Sequence, residues 1–205
     1  MAEAKVSAAD VKALRERTGA PMMDCKEALA EAGGDMEKAI EILRTKGAAS
    51  AAKRSGRGTE EGVISSYVHA DKRKGALVEI QCETDFVARN EEFQEFARQV
   101  AIHVTAMSPQ HVSIDEIPEE ELEKERRILE EKAKQDGKPD DVVEKIVDGQ
   151  VRKWASEIVL LDQKHFNEEA YEGKTIEELR TEVAAKTGEN VRIARFSRFE
   201  IGEED

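Results

Sequence analysis

Apolar residues recur at helical spacing through the first part of the chain. Ser7 followed by Asp10 has the form of a helix start, a hydroxyl cap with a carboxylate three residues on. Val11 and Leu14 then give one apolar face, and Gly19 suits a left-handed stop. Pro21 fits the first turn of a second helix carrying Cys25, Ala28, Leu29 and Ala32, which Gly33-Gly34 ends. Asp35 caps a third, with Met36, Ala39, Ile40 and Leu43 in one buried stripe. Residues 7–47 are thus predicted to form a small three-helix bundle with a thin core. Ala48 to Arg54 extends it, fading into a flexible linker at Ser55-Gly56-Arg57-Gly58.

Beyond the linker the period changes. Gly62 to His69 is β-rich, and Gly75 to Thr84 alternates so that Val78, Ile80 and Cys82 face a core while Glu79, Gln81 and Glu83 face water. Ala70 to Lys74 is the polar loop of this hairpin. A turn over 84–89 leads to a helix from about Asn90 to Met107, with Phe93, Phe96, Ala97, Val100 and Val104 buried and Pro109 just past its end. Residues 118–135 read as a charged helix with a narrow Leu122/Leu129 stripe, broken by Gly137-Lys138-Pro139. Asp140 to Trp154 reads as another, with Val143, Ile146, Val147 and Trp154 on one side. Thr175 to Glu178 opens a further helix, which Gly188 ends, and Val191 to Ile201 is a final strand. These elements predict an α+β fold: the bundle, residues 1–55, then an antiparallel sheet with helices packed on one face, residues 56–205.

Composition narrows the function. The formal net charge of -13 repels phosphate backbones, so broad nucleic-acid binding is disfavoured. With 38% charged and 4% aromatic residues, the chain suits helices with long solvated faces. No apolar run is long enough to span a bilayer, and Met1 to Lys5 lacks a signal-peptide core, so a cytoplasmic location is expected. Cys25 and Cys82 read as buried free thiols in a reducing compartment.

Signatures of catalysis are missing. There is no phosphate-binding glycine loop, zinc-binding histidine helix or nucleophile elbow, and His69, His103, His111 and His165 show no metal-ligand spacing. No enzyme activity, cofactor or metal is expected. Two segments remain. Thr84-Asp85-Phe86-Val87 lies between a strand and a helix. Either Phe86 is an exposed aromatic wedge beside a charge, or Asp85 caps a helical turn while Phe86 enters the core. In Met22-Met23, adjacent helical positions differ by about 100°, so both cannot face inward. One could contact a partner, or one could fill the core while the other is incidental.

Leu14-Arg15-Glu16-Arg17-Thr18-Gly19-Ala20-Pro21-Met22-Met23-Asp24-Cys25-Lys26 closely resembles the amino-terminal signature of the elongation factor Ts family. Cys82-Glu83-Thr84-Asp85-Phe86-Val87-Ala88-Arg89 resembles the family's second signature, and Arg195 to Glu203 its last core strand. Gly137-Lys138-Pro139 and the following helix also resemble it, whereas Asp162 to Phe166 departs from a pattern in which many relatives carry a proline. The resemblance implies a ubiquitin-associated-like first domain that docks on the nucleotide-binding domain of elongation factor Tu, with Arg15, Met22 and Met23 as the docking residues. It implies that Thr84, Asp85, Phe86 and Val87 wedge near Tu's magnesium site and promote GDP release, acting on GDP-bound and nucleotide-free Tu. It also implies the compact form of the family, a homodimer engaging two copies of Tu. A different class, an adaptor binding helical or ubiquitin-like partners through the bundle, would leave the 84–87 turn and the last strand unexplained.

Overall fold

The structure, a computed structural model, describes residues 6–136 and 140–203. Gly137-Lys138-Pro139, expected to break the helix pair, lies outside the described residues. In chain order the elements are α1 (Ala8–Thr18), α2 (Met22–Glu31), α3 (Met36–Arg54), β1 (Glu61–Val68), β2 (Lys74–Cys82), α4 (Asp85–Ala88), α5 (Glu91–Met107), α6 (Glu119–Gln135), α7 (Asp140–Ile158), α8 (Ile176–Thr187) and β3 (Arg192–Glu200). The fold class is α+β, as expected: a helical amino-terminal region, then a three-stranded antiparallel sheet with helices. Contacts group the chain into two compact units, each assembled from separate stretches. One holds residues up to 63 with 80–96 and 178–192; the other holds 64–79, 97–177 and the chain from 193 onward.

The bundle in the first unit forms where its caps allow. Ser7 and Asp10 make a reciprocal capping box, and Gly19 closes α1 at φ 68°. The Asp35 carboxylate accepts from the N–H groups of Glu37 and Lys38. Val11, Leu14, Cys25, Ala28, Leu29 and Ala39 form the core. Leu14 and Leu29 are fully buried, contributing roughly 1.5–3 kcal/mol each. As expected, the third helix extends past residue 47, and it runs unbroken to Arg54, where Ala51 is buried and Arg54 donates from Nη2 to the Ala184 carbonyl at 3.1 Å. Gly47 lies so close to Ala185 that an added Cβ would sit 3.2 Å from its methyl group.

The sheet runs β1-β2-β3 with β2 central. Ala76, Val78, Ile80 and Cys82 alternate inward along β2 and are buried, as their spacing predicts. Gly62 is required where β1 meets β2: a Cβ there would come within 2.2 Å of the Ile80 carbonyl oxygen. The other sheet face exposes Ile64, Val68, Leu77, Phe199 and Ile201, with Arg195 donating from Nε to Glu79 at 2.7 Å. The sequence reading placed the polar positions of β2 on this face but did not foresee its apolar patch.

Helices α6 and α7 pair in the second unit around Ala133, Val143, Val147 and Val151, with Leu122 and Leu129 packed alongside. The expected apolar face of α5 is buried, and it also carries His103. The segment that departs from the family pattern supplies His103's partners. Gln163 donates from Nε2 to the Glu157 carbonyl at 2.6 Å, which turns its oxygen towards His103 Nε2 at 2.8 Å. The Phe166 N–H donates to His103 Nδ1 at 3.1 Å, and His165 lies 5.8 Å away between ring centroids. His103 is therefore neutral, with its proton on Nε2.

Burial, with His165 as a further disfavouring neighbour, holds the His103 pKa down to about 4. Since the folded value lies below the unfolded one, the unfolded chain takes up a proton first as pH falls. Stability is then full above about pH 6.5 and declines towards pH 4, with a loss on the order of 3 kcal/mol from this group. Urea midpoints measured across this range should fall with acidification, and H103L, destabilised at neutral pH, should show a flatter profile. An equally steep profile in H103L would assign the acid sensitivity to other groups.

Candidate partner-binding surface

Four-residue α4 is too short to hold itself as a helix. Its shape comes from its ends and from a neighbouring loop. The Thr84 hydroxyl caps it, accepting from the Val87 N–H at 3.4 Å. The Ala88 N–H donates to the Thr84 carbonyl at 3.2 Å, and the Cys82 thiol donates to that same oxygen at 3.2 Å. Burial, with Glu189 nearby, pushes the Cys82 thiol up to about 11, so it stays protonated and can donate.

The loop after α8 holds the turn from the other side. Gly188, at φ 74°, takes the left-handed conformation that ends α8 and redirects the chain. Glu189 then accepts at Oε2 from the N–H groups of Glu83 and Thr84, both at 3.0 Å, and at Oε1 from the Thr84 hydroxyl at 2.6 Å. The reverse bonds run from Asn190, whose N–H donates to Glu83 Oε1 at 2.6 Å. Its side-chain amide donates to the carbonyls of Ser55 and Arg57 at 3.2 and 2.9 Å. The Asn190 N–H, followed by Arg57 as hydrogen-bond donor and positive charge, holds the Glu83 carboxyl below its ordinary range.

On this fixed backbone Phe86 projects outward with 82% of its surface exposed. Phe93 and Phe96, a short way along the chain, are buried. The reading in which Phe86 enters the core is therefore wrong, because the inward positions next to it are taken by Ala88 and Phe93. Asp85 pairs with Arg89 across one helical turn at 3.1 Å, and Val87 is half-buried.

Arg15, Met22 and Met23 lie in the same unit, on α1 and at the start of α2. Arg15 is exposed, as are both methionines at 51% and 62%, where the sequence required only one to be. The small core is closed by Cys25, Ala28 and Leu29 and leaves neither methionine a place inside. The signature loop between these helices adjoins α8: a Cβ on Gly19 would lie 2.7 Å from Lys186 Cε, and Lys186 pairs with Glu92 at 3.3 Å. One helix thus touches both the signature loop and the first turn of α5. Glu189 and Asn190 were not foreseen as site residues. An acidic residue after a helix-ending glycine is an ordinary loop pattern, and only the tertiary structure shows that it bonds to the 83–84 backbone.

Among the described residues no helix is long and apolar enough to cross a membrane. The family model described as elongation factor TS matches residues 2–172. An elongation factor Ts from Thermosipho melanesiensis is 52% identical over 199 residues, covering 97% of this chain and 100% of that protein. One from Carboxydothermus hydrogenoformans is 54% identical over 193 residues, covering 94% and 88% respectively. Another, from Acetivibrio thermocellus, is 52% identical over 198 residues, covering 97% and 91%. With both sequence signatures present and the match extending over nearly its whole length, this chain belongs to the elongation factor Ts family.

Proposed function

We propose that this chain is a guanine-nucleotide exchange factor for elongation factor Tu and that the Thr84–Val87 turn disturbs Tu's magnesium site. Family membership makes it a translation elongation factor with Tu as its partner. The observation that carries the finer reading is Phe86, a ring 82% exposed on a backbone pinned from both sides. Such a ring can enter a partner with little further ordering, so most of its burial energy remains available for binding. The Asp85–Arg89 pair is exposed and worth at most about 1 kcal/mol, so the carboxylate can exchange partners cheaply.

Magnesium bound with a nucleotide demands near-octahedral geometry, so a small displacement of its surroundings weakens GDP. An exchange factor binds nucleotide-free Tu more tightly than GDP-bound Tu, and by linkage GDP weakens the factor to the same degree. This chain then needs neither cofactor nor covalent chemistry. Residues 1–55 act as the docking module on Tu's nucleotide-binding domain, through Arg15, Met22 and Met23. The apolar sheet face formed by Ile64, Val68, Leu77, Phe199 and Ile201 supports a homodimer in which a second copy covers it.

Stopped-flow release of fluorescent GDP from Tu tests the reading. Micromolar wild-type protein should accelerate release by orders of magnitude, and F86A should cut that acceleration by at least about tenfold. Because Phe86 is exposed, F86A should leave stability within about 0.5 kcal/mol. Rapid exchange by folded F86A would remove the wedge from the mechanism.

Docking is read separately. M22S/M23S should keep the wild-type melting temperature, since both side chains are exposed, and weaken Tu binding roughly tenfold in calorimetry. Unchanged affinity would place the docking surface elsewhere.

Association is read by sedimentation. The wild type should run as a dimer at tens of micromolar, and L77E/F199E as a folded monomer. A monomeric wild type would count against the dimer.

A further inference from the structure

We infer that Glu189 is a positioning residue for nucleotide exchange: its carboxylate, bound to the backbone N–H groups of Glu83 and Thr84 and to the Thr84 hydroxyl, holds Phe86 in the attitude the wedge requires. The inference rests on the wedge reading of the Thr84–Val87 turn. Three donors from two adjacent residues converge on this one side chain, at 3.0, 3.0 and 2.6 Å. The Thr84 hydroxyl gives its hydrogen to Glu189, which leaves an oxygen lone pair to cap the Val87 N–H at 3.4 Å. Removing Glu189 therefore frees two N–H groups and loosens the cap on a helix with only four residues.

The reciprocal half of the clamp accounts for fold stability instead. Asn190 is 5% exposed and ties the loop to Ser55 and Arg57, while its N–H is held by Glu83. That half survives loss of the Glu189 side chain, so the loop stays in place while the turn loses its hold. A glutamine at 189 retains one oxygen for the two N–H groups, and its NH₂ can donate to Thr84 once that hydroxyl rotates.

The test measures GDP release from Tu, Tu affinity and amide hydrogen exchange for E189A, E189Q, F86A and E189A/F86A in the full chain. E189A should slow maximal release roughly ten- to hundredfold while changing Tu affinity only a few-fold. E189Q should recover most of the rate. The double variant should be no slower than F86A, because a misplaced ring and a missing ring remove the same contact. The Thr84 and Val87 amides should exchange faster in E189A, with the α8 amides unchanged.

Normal release by E189A beside slow release by F86A would overturn the role of Glu189 and leave the wedge standing. Normal release by F86A would overturn the wedge and this inference with it. Additive loss in the double variant, or unchanged Thr84 and Val87 protection, would show that Glu189 does not act by positioning Phe86 and would overturn the inference. Should E189A not fold, E189D retains the charge, falls short by one methylene, and is expected to behave as E189A was.

Discussion

The register of β2 is the constraint on which the rest depends. Ala76, Val78, Ile80 and Cys82 are buried in alternation, so a slip by one residue would carry Glu79, Gln81 and Glu83 inward. The Gly62 contact opposes the same slip, since only a residue without a side chain allows the backbone so near Ile80. Because β2 runs directly into Thr84, its register also sets where the turn begins and which way Phe86 points. Core packing on one strand thus places the surface residue on which the proposed exchange activity relies.

The turn itself combines exposure with rigidity. Ordinary surface loops expose apolar side chains on loosely held backbone, and binding must then order them at a cost. Here carboxylates replace the missing helical turns. Glu189 and Glu83 each accept from backbone N–H groups of the opposite segment, bonds stronger than those between neutral groups. This arrangement lets a four-residue helix hold a bare phenyl ring.

Buried polar groups in the second unit serve a different end. His103, Gln163 and the Phe166 N–H form a chain in which each orientation determines the next, beginning from the Glu157 carbonyl. It secures a segment with little regular structure, and the price is sensitivity to acid. The lowered His103 pKa follows chiefly from burial.

Much of this was legible in the sequence. Helical and strand periodicity located the bundle, the hairpin, the inward side of β2 and the buried face of α5, because a burial pattern with a fixed period follows directly from backbone geometry. The two signatures identified the family because their residues stand in order along the chain. Periodicity could not say whether Phe86 enters the core, since a turn has no period and its inward positions depend on Ala88 and Phe93 in three dimensions. Nor could it show that both methionines lie outside or that Glu189 reaches back to Thr84. The first depends on how the small bundle core closes, and the second on contacts between residues about a hundred positions apart, which only the folded chain brings within hydrogen-bonding distance.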